Sequence, residues 1–555
     1  MEKIDKTPVR VKLVFSRTLN SQSAASVSMG SLAAYLRSLE FNADLCLFDA
    51  ARPDDAEKRV AGIAAQNIII AKPNFKDFQT MFPFLARLRK AGQIGRVFLC
   101  GPFAQRNAES IMSGCVWCDG VILDQMEASA GSLLAALNKD LSVRAQETRG
   151  CLLRDPQTGM IAPRLPSAGA VPLSALPFPA RDIEVMEDVG YVNMEASRGC
   201  RFGCSFCHVP LVAEMSAAGA ARNIRHSASV VDEIERLNKD LGKTLFIFND
   251  SCFWSTREDD KRILAMCDEI MRRGLDVRFY IYLKGEPFIG DKVLRALVKA
   301  GLVRVFLGIE NSVPSSLAVY RKKIPADLYA KVRAKLDPLG VNIHIGYITI
   351  EPYSSLDDVL SNLSYLLRIG KLFRLGVITE PVRVVPGTSL HSSLIRDGLI
   401  DPALSYDNVT YGYRFAHDEV GRLLHAWKTM FDGHLEGTAS GFEYHLTTGE
   451  LLRTLATRLD AKFADIFKEP FAVLNAKKIQ GMEMLFGYLA STIECARVGE
   501  VRHAGDPGRN RGFIEGFKTV AGEIEALHAS IVSVVRERGG GRAVRELYPR
   551  PSKKF

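Results

Sequence analysis

The chain has 555 residues, 47% apolar and 24% charged, which is too long for one ordinary core and has the balance of a protein that folds throughout, in two to four domains. Its net charge of +9 is mild for this length, with the basic excess near the C-terminus, so charge gives no reason to expect nucleic-acid binding. No apolar run approaches the roughly 20 residues of a membrane span and the first residues lack a signal-peptide pattern. Eleven cysteines suit a reducing compartment, so a cytoplasmic location away from any membrane is expected.

Residues 10–147 read as alternating strands and helices. Short apolar runs predict strands at 11–16, 43–48, 67–71, 96–100 and 120–124, with helical patterns at 28–38, near Ala108 and through Leu137. This order implies an open parallel sheet covered by helices, with ligands at the C-terminal strand ends. Cys115-Val-Trp-Cys118 has the spacing of a metal or redox pair, but no second pair lies nearby, and buried apolar thiols are the expected use. Residues 148–190 carry Pro156, Pro163, Pro166, Pro172, Pro177 and Pro179, a run that resists regular structure and reads as a linker.

The most informative stretch follows: Ser197-Arg-Gly-Cys200-Arg-Phe-Gly-Cys204-Ser-Phe206-Cys207. Three thiols within eight residues, with glycines before the first two, suit a tight loop whose thiolates converge on a metal centre. Zinc in a structural site takes four protein ligands, and His208, adjacent to Cys207, is poorly placed to be the fourth.

The spacing Cys-x3-Cys-x2-Cys with Phe206 before the last cysteine resembles the signature of the radical S-adenosylmethionine (SAM) enzymes. The resemblance implies a 4Fe-4S cluster on Cys200, Cys204 and Cys207. Its open iron would chelate SAM, and one electron, from a donor such as flavodoxin or ferredoxin, would release a 5'-deoxyadenosyl radical. Upstream, Ser31-Leu-Ala-Ala-Tyr-Leu-Arg, Leu99-Cys-Gly101-Pro102-Phe-Ala and Gly120-Val-Ile-Leu-Asp124-Gln-Met-Glu127 are similar to segments of the cobalamin-binding domain that precedes many such enzymes. The resemblance implies cobalamin contacts at Gly101, Pro102, Asp124 and Glu127. The Asp-x-His-x-x-Gly motif that places a histidine beneath cobalt is absent, and Lys72 and Asn74 are the candidates to approach that lower face, with an ordinary solvated loop as the alternative.

Downstream, strand patterns at 191–196, 244–249, 277–283, 303–309, 341–350 and 374–385 alternate with helices, and the family resemblance implies a six-unit partial (β/α) barrel. Residues at its strand ends are then SAM-binding candidates: Phe206 in the loop, Asn249 and Asp250 for the ammonium, Lys284 for the carboxylate, Glu310 and Ser312 in a Gly-Ile-Glu-Asn-Ser segment, and Arg383. Beyond residue 401 four helical patterns, at 417–431, 449–467, 476–494 and 512–537, read as a cap over the barrel mouth. Tyr406, Tyr411, Tyr413 and Phe415 are expected to pack between cap and barrel or line a pocket.

The fold expected is α/β: a Rossmann-like cobalamin-binding-type domain at 1–147, a linker at 148–190, a radical SAM partial barrel at 191–400 and a helical domain at 401–555. The function expected is cobalamin-dependent radical methyl transfer to an unactivated carbon or phosphorus of a small-molecule or peptide substrate. The alternatives are cyclisation, rearrangement or oxidation by the same architecture, or an iron-sulfur scaffold or sensor without catalysis.

Overall fold

Short β-branched runs such as Ile68-Ile-Ile-Ala-Lys72, too brief for helices, build the first of two parallel sheets. The computed structural model describes residues 10–16, 22–49, 53–61, 67–74, 78–139, 148–163, 165, 169–181, 191–209, 222–284, 290–400, 412–459 and 461–537. The first part comprises β1 (Arg10–Ser16), α1 (Gln22–Ser38), β2 (Asn42–Phe48), α2 (Pro53–Ala61), β3 (Ile68–Lys72), α3 (Phe78–Lys90), β4 (Val97–Leu99), α4 (Gly101–Arg106), α5 (Ala108–Gly114), β5 (Gly120–Ile122), α6 (Met126–Lys139) and β6 (Cys151–Leu153). The strand order is β2-β1-β3-β4-β5-β6, parallel except for β6. Val11 lies opposite both Ala43 and Ile68 in register, and β1 and β3 are buried almost end to end because helices pack on both faces.

The segment read as linker departs from expectation at its start. Cys151–Leu153 closes the sheet as an antiparallel edge, because the prolines begin only after this apolar triplet. Residues 171–181 then form a strap held from both sides. Ala180 N–H donates to the Gly30 carbonyl at 2.9 Å, and a Cβ on Gly30 would lie 2.5 Å from the Ala180 oxygen. Arg181 donates to Glu233 and to the Asn193 carbonyl, both at 2.9 Å.

The second part contains β7 (Val192–Met194), β8 (Ser197–Arg198), β9 (Asn223–Ile224), α7 (Ser227–Leu241), β10 (Leu245–Phe248), α8 (Asp259–Arg272), β11 (Arg278–Lys284), α9 (Asp291–Lys299), β12 (Leu302–Glu310), α10 (Pro314–Val319), α11 (Leu328–Leu336), β13 (Asn342–Tyr347) and α12 (Leu356–Arg368). Its sheet has the order β13-β12-β11-β10-β7, all parallel. Phe246, Phe279, Ile281, Val305, Leu307, Ile343 and Ile345 face the helices, while alternate residues turn to the concave side. The expected sixth strand at 374–385 is not one. It contains α13 (Gly376–Thr379), and beyond it Pro381 and Pro386 have no N–H to give a ladder; Val382 alone continues the sheet's direction, donating to Ile350 O at 3.0 Å.

The remainder is helical: α14 (Ser389–Arg396), α15 (Asp418–His434), α16 (Glu436–Leu459), α17 (Ala461–Arg497) and α18 (Arg511–Val535). The break expected between 467 and 476 is absent, and α17 runs on through Pro470. Tyr413 is buried and donates to Val382 O at 3.1 Å, with Phe415 edge-on to it, so both pack between cap and barrel. Tyr406, Tyr411 and the C-terminal tail lie outside the described residues. No helix among the described residues is long and apolar enough to cross a membrane.

Candidate active site

The loop after β7 is shaped before any ligand is considered. Gly199 takes φ +90°, a conformation side chains disfavour, and the turn closes with Cys207 N–H donating to Cys204 O at 3.1 Å. Ser205 pins it to the end of α10, its N–H on Tyr320 O at 3.1 Å and its Oγ on Val319 O at 2.6 Å, while Leu390 N–H at the start of α14 holds the Ser205 carbonyl. Phe206 sits edge-on against Tyr320 at 5.1 Å.

Cys200, Cys204 and Cys207 are half-buried and free. Burial raises the thiols of Cys204 and Cys207, the latter to about 11, and each feels the charge of its fellows; Lys322 and Lys284 pull Cys204 back down. Among the described residues no three His, Cys, Asp or Glu side chains gather as a single ion would require. His208 instead feels Arg106 and Lys72 of the first sheet, and buried Cys252, the nearest further thiol, donates to Trp254 O. Three thiols on one turn fit the donor set of a polynuclear cluster.

The other strand ends surround this loop. Lys284 lies over the Phe202 ring at 3.3 Å. Glu310 has the left-handed φ of 68° and pairs through Oε1 with buried Lys322 at 2.6 Å; Lys322 also donates to Gly308 O at 2.8 Å. Phe206, Lys284 and Glu310 are thus brought to the cysteines. Asn249 ends β10 with its amide N–H on Met194 O, and its side-chain Nδ2 is buried with no partner.

Two other candidates serve elsewhere. Asp250 turns back under the loop, accepting from Ala196 N–H at 3.0 Å and from Ser197 Oγ at 2.5 Å, and burial pushes its carboxyl up to about 6. Ser312 is bound between Tyr347 and Asn362, each at 2.9 Å. Arg383 stands on the loop after α13, 3.4 Å from Glu380 and one-third exposed. Lys322, Phe202, Glu195 and Arg198 were not singled out in the sequence. Lys322 is flanked by Arg321 and Lys323, and a basic triplet reads as surface.

The first sheet presents its C-terminal edge to the same loop, with α1 packed against β7. Lys72 ends β3, bonds to Ser28 Oγ and crosses Gly101, where a Cβ would come within 2.9 Å of its Cγ; burial lowers its ammonium pKa. Gly101 has φ +83° and Pro102 opens α4. Asn74 follows Lys72, and Asp124 is buried with its carbonyl accepting from Gln105 at 2.8 Å. Glu127 is fully buried: Oε1 accepts from Ser31 Oγ and from Arg198 Nη1, both at 2.8 Å, and Arg198 Nε reaches Glu195 at 2.8 Å. Burial alone would raise the Glu127 carboxyl, but Arg198 outweighs it and the net shift is downward. Glu127 therefore ties the first sheet to the root of the cysteine loop. Glu127 Oε2, Ser129 Oγ and Thr148 Oγ1 are buried without partners among the described residues, as befits a place made for a polar ligand.

A parallel half-barrel with a three-thiol loop after its first strand defines the radical SAM class. Residues 194–361 match the Radical SAM superfamily, so the chain carries a radical SAM domain. Over 346 residues it is 24% identical to an uncharacterized methyltransferase of Pyrococcus horikoshii, covering 59% of this chain and 70% of that one. Its fold resembles OxsB, a cobalamin-dependent SAM radical enzyme solved with aqua-cobalamin, with TM-score 0.65 and 16% identity over 98% of this chain and 84% of that one. It also resembles the radical SAM methyltransferase TsrM of Kitasatospora setae, solved with tryptophan and a SAM analogue, with TM-score 0.56 and 16% identity over 70% and 76% of the two chains. The overall fold is therefore similar to that of OxsB along nearly the whole chain.

Proposed function

We propose that this chain is a cobalamin-dependent radical SAM methyltransferase acting on an unactivated carbon or phosphorus, in the cytoplasm, with electrons from a flavodoxin or ferredoxin. The observation that carries the reading is the trio of Cys200, Cys204 and Cys207 at the C-terminal strand ends, facing the C-terminal edge of the first sheet through Arg198. When bound, the cluster and SAM supply a 5'-deoxyadenosyl radical, and cobalamin supplies the methyl group.

On this reading the chain's own residues divide the work. The three cysteines hold three irons. Asn249, Lys284 and Glu310 take up the ammonium, carboxylate and ribose of SAM, with Lys322 fixing the Glu310 carboxylate. Asp250 and Ser312 act as supports, Asp250 for the cysteine loop and Ser312 for the end of β12. Gly101, Pro102, Asp124, Asn74 and Lys72 would hold the corrinoid when it is bound. Residues 1–147, extended by β6, form the corrinoid unit; residues 191–400 carry the radical chemistry, and the helices from 401 onward cover it.

The test is anaerobic reconstitution with iron and sulfide, followed by reduction with dithionite in the presence of SAM. Alanine at Cys200, Cys204 or Cys207 is expected to reduce 5'-deoxyadenosine formation to background, and continued cleavage would sink the reading. Purification with cobalamin followed by an absorption spectrum tests the corrinoid separately. A second reading is that the same site performs a radical cyclisation, rearrangement or oxidation, since one relative, 23% identical over 218 residues, is named 4'-phospho-dehydrooxetanocin synthase and not a methyltransferase. Product analysis for a transferred methyl group separates the two.

A further inference from the structure

Parallel pairing stacks the concave face of the barrel in layers. Tyr280, Arg304 and Asn342 are register partners at the floor; Tyr282, Phe306 and His344 lie above them, and Lys284, Gly308 and Gly346 form the mouth beside the cysteines. An aromatic strip runs from the floor into the middle layer: Tyr280 stacks on Tyr282 at 5.9 Å, Tyr282 lies 5.0 Å from Phe306, and Phe306 stacks on His344 at 5.4 Å. Each of these rings keeps part of its surface open.

The floor holds an excess of positive charge. Arg304 is 8% exposed, lies over Tyr280, and touches His344 Nδ1 through Nη2 at 2.6 Å; its Nε is buried without a partner, and it forms no ion pair among the described residues. Arg374 donates to Ile345 O, and its Nε stands 3.5 Å from Glu443 Oε1. Lys371 and Lys478 share the single carboxylate of Glu450. Among the described residues four cations thus face two carboxylates, and His344 is held neutral by burial and by Arg304, Arg374 and Lys371, so it adds no further positive charge. Burying a guanidinium away from any counter-charge is costly, and folds seldom keep one without an anion to meet it.

We propose that the barrel floor at Arg304 is an oxyanion site, and that the substrate is a flat aromatic compound whose carboxylate or phosphate is held there while its ring lies along Tyr280, Tyr282 and Phe306. Arg304 presents a planar fork suited to such a group, and the aromatic strip leads from it to the mouth where the radical is made. The proposal leans on the proposed function only in calling the ligand a substrate. Binding needs neither cluster nor corrinoid, so either idea can fail alone.

The full-length apoprotein is titrated calorimetrically with phenyl phosphate and, separately, with inorganic phosphate. Phenyl phosphate is expected to bind once per chain and more tightly than inorganic phosphate. Arg304→Gln is expected to weaken it about tenfold or more, while Arg396→Gln, on the exposed side of α14, leaves it unchanged. Equal binding of the two probes, both dependent on Arg304, supports the oxyanion site but assigns it to a free ion and overturns the aromatic substrate. No binding of either, or binding indifferent to Arg304→Gln, overturns the site. Should that variant not fold, Arg304→Lys, which keeps the charge and loses the fork, is read instead, and wild-type affinity in it overturns the site.

Discussion

The two parallel sheets use strands of the same kind and treat their second face in opposite ways. In the first, β3 reads Ile-Ile-Ile-Ala and is buried throughout, because helices lie on both sides. In the second, β11 reads Arg-Phe-Tyr-Ile-Tyr-Leu-Lys and its burial alternates residue by residue, because helices cover only the convex side. The difference teaches where each sheet can do chemistry. A doubly covered sheet has only its strand ends to offer a ligand, whereas the curved sheet offers its ends and a whole inner wall.

Cutting the link between the sheets has the largest expected effect. Arg198→Gln leaves fully buried Glu127 without its cation, which is expected to destabilise the protein by about 3–5 kcal/mol in denaturant unfolding, with Arg198→Lys recovering part of it. A loss near zero would mean that the sheets meet without depending on each other. A pair of identical substitutions probes the faces themselves. Ile70→Ala, in the first sheet with no exposure, is expected to destabilise by about 2–5 kcal/mol, and Ile247→Ala, on the inner wall and partly open, by about 1 kcal/mol. Equal losses would erase the contrast.

The smallest effect is a change in pH dependence. Asp250 has its carboxyl raised by burial from 3.8 to about 6, so the folded state holds its proton more firmly than the unfolded chain. Its contribution is full below about pH 3.8 and is lost as pH rises through about 6. Asp250→Asn is expected to remove that decline from a series of unfolding curves across the interval; an unchanged slope would place the titration elsewhere.

The cysteine loop was legible in the chain because its ligands are local, eight residues that must turn on themselves whatever surrounds them. Most strands were legible too, since apolar runs in the first sheet and alternation in β11 are written directly in residue type. Long-range partnerships were not. Asp250 reads as a strand-end acceptor, yet its oxygens bind Ala196 and Ser197, over fifty positions away, and Glu127 finds its cation 71 residues on. The sixth strand failed because the β-branched residues at 377–385 suit a ladder by type, while in the fold 376–379 turn into a helix and Pro381 withholds a donor.

Only Gly199 separates Arg198 from Cys200, and the Arg198 guanidinium is locked to Glu127 and Ser31 of the first sheet. A tilt of that sheet therefore has almost no slack chain in which to dissipate before it reaches the thiols. The two halves are therefore tied by a buried ion pair one residue away from the first thiol, so a change in one half is felt first at the loop that carries the cysteines.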